Sequence, residues 1–355
     1  MADGVVGGTD GDPASPEDSG RTPPVMKDVA RLAGVSKQTV SRVFNDSPNV
    51  RQETRERVLR AARQLDFRPN SAARALITGR TRMLGVITSD ATSYGPAAVL
   101  HSINTAARDA GYFVCSMPLR VVNREAVLDA VERLTGQGVE GIITIASQTT
   151  VVRALADTPH KLPMVTLDRS PDEDIPVVTV AETEGARQAT RHLLQLGHRT
   201  VWHIAGPLDW IAAEERAAGW REALREAGAE VNGCLVGDWT AGSGYALGRE
   251  LAARPDVTAV FAANDQMAMG LLRALSDAGR RVPRDVSVIG FDDIPEAAFM
   301  IPPLSTVRPD FAEVGRRCIT VMLERLRDPS PAWPRSAVVS DLVVRHSSGP
   351  PGGAG

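Results

Sequence analysis

The sequence predicts two kinds of structure in tandem: a small all-α helix-turn-helix module, then an α/β core of two doubly wound parallel-sheet subdomains. Three observations predict it. Residues 25–45 carry helical spacing on both sides of Gly34. From Met83 onward, short Val- and Ile-rich runs alternate with helical stretches, the pattern of parallel strands joined by crossover helices. These runs are too many for one ordinary sheet, so two are expected, dividing near residues 180–183.

In the module, Val29, Leu32 and Ala33 share one face of the first helix by their spacing. Gly34 supplies the positive φ of a sharp turn. Ser36 stands where an N-cap is wanted, and Val40 and Val43 give the second helix an apolar stripe. Its outward face carries Lys37, Gln38, Ser41, Arg42 and Asn45. Gln and Asn pair with adenine, Arg with guanine and Lys with phosphate, so this face suits double-stranded DNA. A third helix is expected over Gln52–Leu65, with Val58, Ala62 and Leu65 on one face. Pro69 disfavours helix at Arg68 and ends that element. Residues 70–79 are rich in small side chains and read as a linker or a marginal helix.

In the α/β body, strands are expected over Leu84–Thr88, Tyr112–Met117, Gly141–Ala146, Pro163–Leu167, Thr200–Ala205, Ala259–Ala263 and Val286–Phe291. Helices are expected over Ala97–Ala110, Arg124–Gly136, Thr183–Leu196, Ala213–Ala227, Tyr245–Ala253, Gln266–Ala278 and Phe311–Arg327. A final strand, Ala337–Arg345, follows the completed second half.

Charge separates the two parts. Residues 21–80 hold an excess of eight positive charges, whereas residues 81–355 are about six negative and the whole chain is −3. A basic module on a mildly acidic body fits a DNA reader with a separate sensing domain. Cys115, Cys234 and Cys318 lie far apart without a C-x-x-C, and the six histidines have no metal spacing, so no metal or cofactor is expected. Residues 1–22 are Gly-, Asp- and Pro-rich and expected to be disordered, and no apolar run spans a membrane, so a cytoplasmic location is expected. Gly242–Gly248 reads Gly-x-Gly-x-x-x-Gly, which misses the dinucleotide spacing, and no clear strand leads straight into it. With no nucleophile, metal or phosphate motif, an enzyme is not expected.

Ligands of open parallel sheets bind beyond the carboxyl ends of the strands. Those ends read Ser89-Asp90, Asp168-Arg169, Gly206-Pro207, Asn264-Asp265 and Asp292-Asp293, with Asp238-Trp239 beside them. Carboxylates, an amide, Arg216 and an indole suit a polyhydroxylated ligand: the polar groups meet vicinal hydroxyls and Trp stacks on the apolar face of a pyranose. Taken singly, an Asp at a strand end reads equally well as the cap of the next helix.

The runs Asp28–Arg42 and Arg68–Leu76, with Leu167–Arg169, Gly197–Arg199, Arg216–Trp220, Ala263–Gly270, Gly290–Asp293 and Pro302–Val307, give the chain a specific resemblance. Over residues 24–346 it resembles the LacI/GalR family of bacterial repressors. The resemblance implies a sequence-specific DNA-binding regulator with a periplasmic-binding-protein-like core. It puts Lys37, Gln38 and Arg42 on the operator bases and Ser36, Thr39, Ser41 and Asn45 on its backbone. It makes residues 70–80, with Asn70, Arg74 and Leu76, a hinge helix that folds on operator, Leu76 wedging the minor groove. It implies an effector pocket of Ser89, Asp168, Arg216, Trp239, Asn264, Asp292 and Phe311. This set is closest to that of lactose-sensing members, so a galactoside or related β-linked disaccharide is expected, and Trp239 speaks against a purine.

The organisation expected is a helix-turn-helix domain over 23–69 and an effector and dimerisation domain over 81–346. Its N-subdomain takes 81–181 and 309–336, its C-subdomain 182–308 and 337–346, and 347–355 form a disordered tail. After Arg345 the chain turns to Ser, Gly and Pro without heptads, so a homodimer on a palindromic operator is expected. A sugar would release the operator by shifting the closure of the subdomains. The alternatives are a corepressor that strengthens DNA binding and, more remotely, a sugar-binding or sugar-processing protein with a DNA-binding head.

Overall fold

The computed structural model describes residues 24–44, 47–67, 75, 79–89, 93–119, 121–145, 148–156, 162–170, 174–231, 233–328 and 335–352. They form two compact units, divided between Arg80 and Thr81. The expected N-terminal tail lies outside the described residues, as do Asn45, Asn70, Arg74 and Leu76. Of the expected hinge only Ala75, Gly79 and Arg80 are described, and the Gly79 amide donates to the Ala75 carbonyl at 2.8 Å.

The first unit holds α1 (Met26–Ala33), α2 (Lys37–Phe44) and α3 (Gln52–Gln64). Gly34 takes φ 62° and ends α1, and Ser36 Oγ accepts the Thr39 amide at 3.1 Å to start α2. Val29, Ala30, Ala33, Val40, Val43, Val58, Ala61 and Ala62 make the core. Leu32 departs from expectation, being 46% exposed. The buried arc of α1 runs through Val29, Ala33 and Ala30, because the small Ala30 side chain lets the neighbouring helices approach. Arg55 of α3 donates to the carbonyls of Val43 and Ser47 at 3.2 and 3.0 Å, satisfying the end of α2.

Among the described residues, the second unit contains two six-stranded sheets. In the first, β1 (Met83–Thr88), β2 (Phe113–Pro118), β3 (Gly141–Ile145), β4 (Met164–Leu167), β5 (Val177–Val180) and β11 (Ser336–Val338) lie in the order β11-β5-β4-β3-β1-β2, all parallel. In the second, β6 (Trp202–Ala205), β7 (Cys234–Val236), β8 (Ala259–Ala262), β9 (Ser287–Phe291), β10 (Ser305–Pro309) and β12 (Ser340–Val343) lie in the order β12-β10-β9-β8-β6-β7. Among the described residues, β12 alone is antiparallel to its neighbour. Each sheet reverses its strand order beside its first strand, which opens a crevice at the carboxyl ends.

The helices that flank these sheets are α4 (Tyr94–Asp109), α5 (Arg124–Gly136), α6 (Thr149–Ala156), α7 (Glu182–Gln195), α8 (Ile211–Glu226), α9 (Ala241–Ala252), α10 (Asp265–Asp277) and α11 (Phe311–Arg327). Two apolar clusters cover the faces of the first sheet and two those of the second. The chain passes between the subdomains at Ala181, Asp310 and Val339.

Three expectations are corrected here. The run Ala337–Arg345 is two short strands, not one. Val338 and Ser340 flank the passage from one sheet to the other, so residues 337 and 338 belong with the first sheet. The short elements β5, β7, β10 and α6 were not expected from the sequence; β10 spells Ser-Thr-Val-Arg-Pro, too polar to read as a strand. Finally, residues 347–352 are docked rather than disordered. Ser347 is fully buried, accepts the Ser305 amide at 2.7 Å and donates to the Val288 carbonyl at 2.6 Å. Gly349 bonds Ser287 and His198. Small polar residues fit beside β9 because their hydrogen bonds are met there.

Candidate functional site

The first unit offers one polar helix face. Lys37, Gln38 and Arg42 are exposed, and Thr39 and Ser41 are half-buried beside them. Ser36 is committed to capping, with its hydroxyl also 2.9 Å from that of Thr39. Val40 and Val43 turn the opposite side into the core, which fixes this face outward.

The second unit encloses a cavity of about 600 Å³, counted to its open mouth, between the carboxyl ends of its two sheets. Asp168, Arg216, Trp239, Asn264, Asp292 and Phe311 all line it. Ser89 does not join them; it follows β1, and its amide donates to the Ile145 carbonyl at 3.3 Å.

Arg216 is the centre of the cavity's electrostatics. It projects from α8, with its side chain 7% exposed. Nε donates to Glu182 Oε2 at 2.7 Å and Nη2 to Glu182 Oε1 at 3.2 Å, while Nη2 also reaches Asp292 Oδ1 at 3.4 Å. Nη1 donates to the Ala263 carbonyl. The guanidinium lies 3.7 Å from the Phe291 ring centroid. Burial opposes its charge, but Glu182 and Asp292 more than offset that and hold its pKa above the ordinary arginine value. Burial also pushes Asp292 up to about 7, against the pull of Arg216. Glu215, one residue before Arg216, is raised to about 7 by burial and by Glu182, although Arg169 lies 3.8 Å away.

Aromatic rings from both subdomains complete the walls. Tyr94 meets Phe311 edge-on at 6.1 Å, and Trp210 meets Trp239 edge-on at 5.6 Å. Trp239 Nε1 is buried with no hydrogen-bond partner among the described residues. Gly206 makes room for this indole, which would meet a Cβ there at 2.2 Å. Asp168, Trp239 and Asp292 hold φ of 67°, 72° and 104°, a conformation non-glycine residues rarely adopt and one that gathers at functional sites.

Around the mouth, the two subdomains touch. Gln148 and Trp210 form an antiparallel bridge, the Thr149 amide donates to the Asp209 carbonyl at 3.2 Å, and Arg169 lies 3.3 Å from Glu214.

The remaining strand-end residues serve the scaffold. Asn264 caps α10 through the Met267 amide at 2.9 Å, but its Nδ2 also holds the Trp239 carbonyl at 3.0 Å, so it both caps and shapes the wall. Asp265 accepts the Ile294 amide and the Thr306 hydroxyl at 2.8 and 2.6 Å, fixing the turn that carries Asp292. Asp293 pairs with Arg308 and Arg345 at 2.5 and 2.7 Å. Asp238 accepts the Thr240 amide and hydroxyl. Gly244 and Gly270 let α9 and α10 pack together; a Cβ on either would fall within 2.2 Å of the other helix's backbone. The three-residue β7 does precede this glycine run, but Thr240, not a phosphate loop, caps α9. His203 is sandwiched by Trp220 and Phe261, and burial lowers its pKa to about 3.

Sequence reasoning missed Glu182, Tyr94 and Trp210. Glu182 opens α7, where an acid reads as an ordinary helix-dipole residue. Trp210 follows the expected Gly206-Pro207 strand end by three residues, which was the available signal. Among the described residues, no helix is long and apolar enough to cross a membrane, and no cluster of His, Cys, Asp and Glu is placed to hold a metal.

Comparisons with known proteins follow this division. Residues 25–70 match the family model of bacterial regulatory proteins, lacI family, and residues 190–348 match the periplasmic binding protein-like domain. The chain is 37% identical to the HTH-type transcriptional regulator CelR of Thermobifida fusca over 340 residues, 92% of this chain and 99% of that protein. In structure it is similar to the lac repressor dimer bound to operator and the anti-inducer ONPF, with a TM-score of 0.81 and 32% identity. That match covers 92% of this chain and all of the other. It is also similar to a CelR–cellobiose complex, with a TM-score of 0.69 and 34% identity over 91% of this chain and 99% of that one.

Proposed function

Because the chain belongs to the LacI family of bacterial regulatory proteins, we propose that it is a sequence-specific transcriptional repressor whose operator affinity is set by a β-linked disaccharide in the Arg216 cavity. The observation that carries the effector class is the wall itself. Four aromatic rings surround a buried Glu182–Arg216–Asp292 cluster. Rings take the apolar faces of pyranoses, and the carboxylates and the unpartnered Trp239 N–H take hydroxyls. Two pairs of rings, one on each subdomain, suit a ligand of two sugar units. A cellobiose-like glucoside ranks beside a galactoside, since a relative is known as a CelR–cellobiose complex.

On the DNA side, Lys37, Gln38 and Arg42 read the major groove, and Ser36, Thr39, Ser41 and Asn45 position the backbone. Residues 70–80 act as the hinge, with Asn70, Arg74 and Leu76 at the minor groove. The working form is a homodimer on a palindromic operator, as the lac repressor dimer on its operator supports. Residues 81–181 with 310–338 form one subdomain and 182–309 with 339–352 the other. Effector bound between them favours one closure, and operator affinity falls by a coupling of roughly 1–3 kcal/mol.

A thermal-shift screen of mono- and disaccharides, paired with fluorescence anisotropy on an operator selected from random DNA, tests the reading. The expected result is a disaccharide that raises the melting temperature and weakens operator binding. A ligand that strengthens it makes the protein a corepressor. If no saccharide changes either quantity, the effector reading is overturned.

A further inference from the structure

Arg216 is the only cationic side chain among the described residues that line the cavity, and four of its five N–H donors are engaged, those of Nε and Nη2 entirely by carboxylates. Glu182 takes the fork of its Nε and Nη2 in two bonds, and both side chains are under 8% exposed. Asp168 and Asp292 add two more carboxylates to the lining. A paired guanidinium of this kind is the usual anchor for phosphate or carboxylate. Here it is closed by an internal acid. From this geometry we propose that Glu182 is a specificity-determining residue that restricts the cavity to uncharged sugars and excludes phosphorylated or acidic ones.

The exclusion is electrostatic. An anionic group entering the cavity meets three carboxylates and one guanidinium. Protonation of Asp292 leaves two carboxylates against the one cation. To take the Nε–Nη2 fork of Arg216, the anion displaces Glu182 and leaves a buried carboxylate without its partner, a strongly unfavourable exchange. A neutral sugar needs no such displacement. Each Glu182 oxygen accepts one bond from Arg216 and keeps a further lone pair for a hydroxyl donor. The same ion pair that blocks an anion therefore welcomes a polyol.

This inference rests on the saccharide reading above, and its test separates the two. Binding of cellobiose, lactose and their 6′-phosphates to the full-length chain is measured by calorimetry. The wild-type protein binds a neutral disaccharide, and its phosphate binds about 100-fold more weakly or worse. Glu182→Gln, which keeps the shape and removes the charge, moves the ratio by about tenfold or more toward the phosphate. Phe311→Ala removes a ring and no charge; it weakens both ligands and leaves their ratio unchanged. Circular dichroism melts verify that each variant is folded. Wild-type protein that binds the phosphorylated sugar as well as the neutral one overturns the proposal, as does a folded Glu182→Gln with the wild-type ratio. Wild-type protein that binds none of the four overturns the saccharide reading, and the selection with it.

Discussion

Glu182 closes both carboxylate oxygens on Arg216, at 2.7 and 3.2 Å, from 34 positions away in the chain. Glu182 opens α7 and Arg216 lies in the second turn of α8, so the pair ties together the two helices that pack on one face of the second sheet. It also decides what the cavity presents. Arg216 read from the sequence is a fork of free donors; in the fold it is a scaffold for acceptors.

Arg216→Ala therefore acts on stability as well as on the ligand. It leaves Glu182 and Asp292 buried without a counter-charge, a loss of about 3–5 kcal/mol. Urea unfolding measures it. Replacing the pair together, Glu182→Leu with Arg216→Met, recovers most of that loss, because apolar groups of similar volume need no partner. A double variant as unstable as Arg216→Ala would mean that packing, not charge, is at fault.

Arg42→Ala tests the helix-turn-helix face. Its expected effect is a loss of about 1–3 kcal/mol in discrimination between the selected operator and random DNA. The thermal shift produced by sugar stays at its wild-type value. An operator preference equal to wild type removes Arg42 from the readers.

Asp292 gives a pH dependence whose sign is fixed by its raised pKa. In the folded chain it titrates at about 7, whereas an unfolded Asp titrates near about 3.9. The folded state thus holds a proton that the unfolded state has released between those values. Its contribution is fully present below about pH 4 and is lost as pH rises through about 7. Asp292→Asn mimics the protonated form, so the variant matches wild type near pH 4 and is the more stable of the two at pH 8. Thermal melts across that range check it; parallel curves would show that Asp292 stays charged. His203 is depressed to about 3 by burial and works in the opposite sense. It is common to both proteins and cancels in the comparison.

Ser347→Ala probes the docked tail. The change removes the acceptor of the Ser305 amide and leaves that amide buried, at a cost of about 1–3 kcal/mol. A shift in melting temperature reads it directly. Ending the chain after Arg345 is expected to lower stability further, since the bonds of Ser347, Ser348 and Gly349 go together. A truncated chain as stable as the full one would make the docking incidental.

Features under local physical control were legible in the amino-acid sequence. Gly34 and Ser36 punctuate the helix-turn-helix because a left-handed turn and an N-cap are properties of single residues. The alternation of Val/Ile runs with helices required parallel sheets, and polar strand ends marked where ligand chemistry gathers. Which of those ends face one another was settled by long-range packing. It left Ser89 out of the lining and brought in Tyr94, Trp210 and Glu182, of which Trp210 alone has a polar strand end close by in the chain. It divided Ala337–Arg345 between two sheets and seated Ser347 beside β9. Each of these outcomes depends on contacts between residues tens of positions apart, and such contacts are fixed by which sheet edges and helix faces remain open once the core has packed.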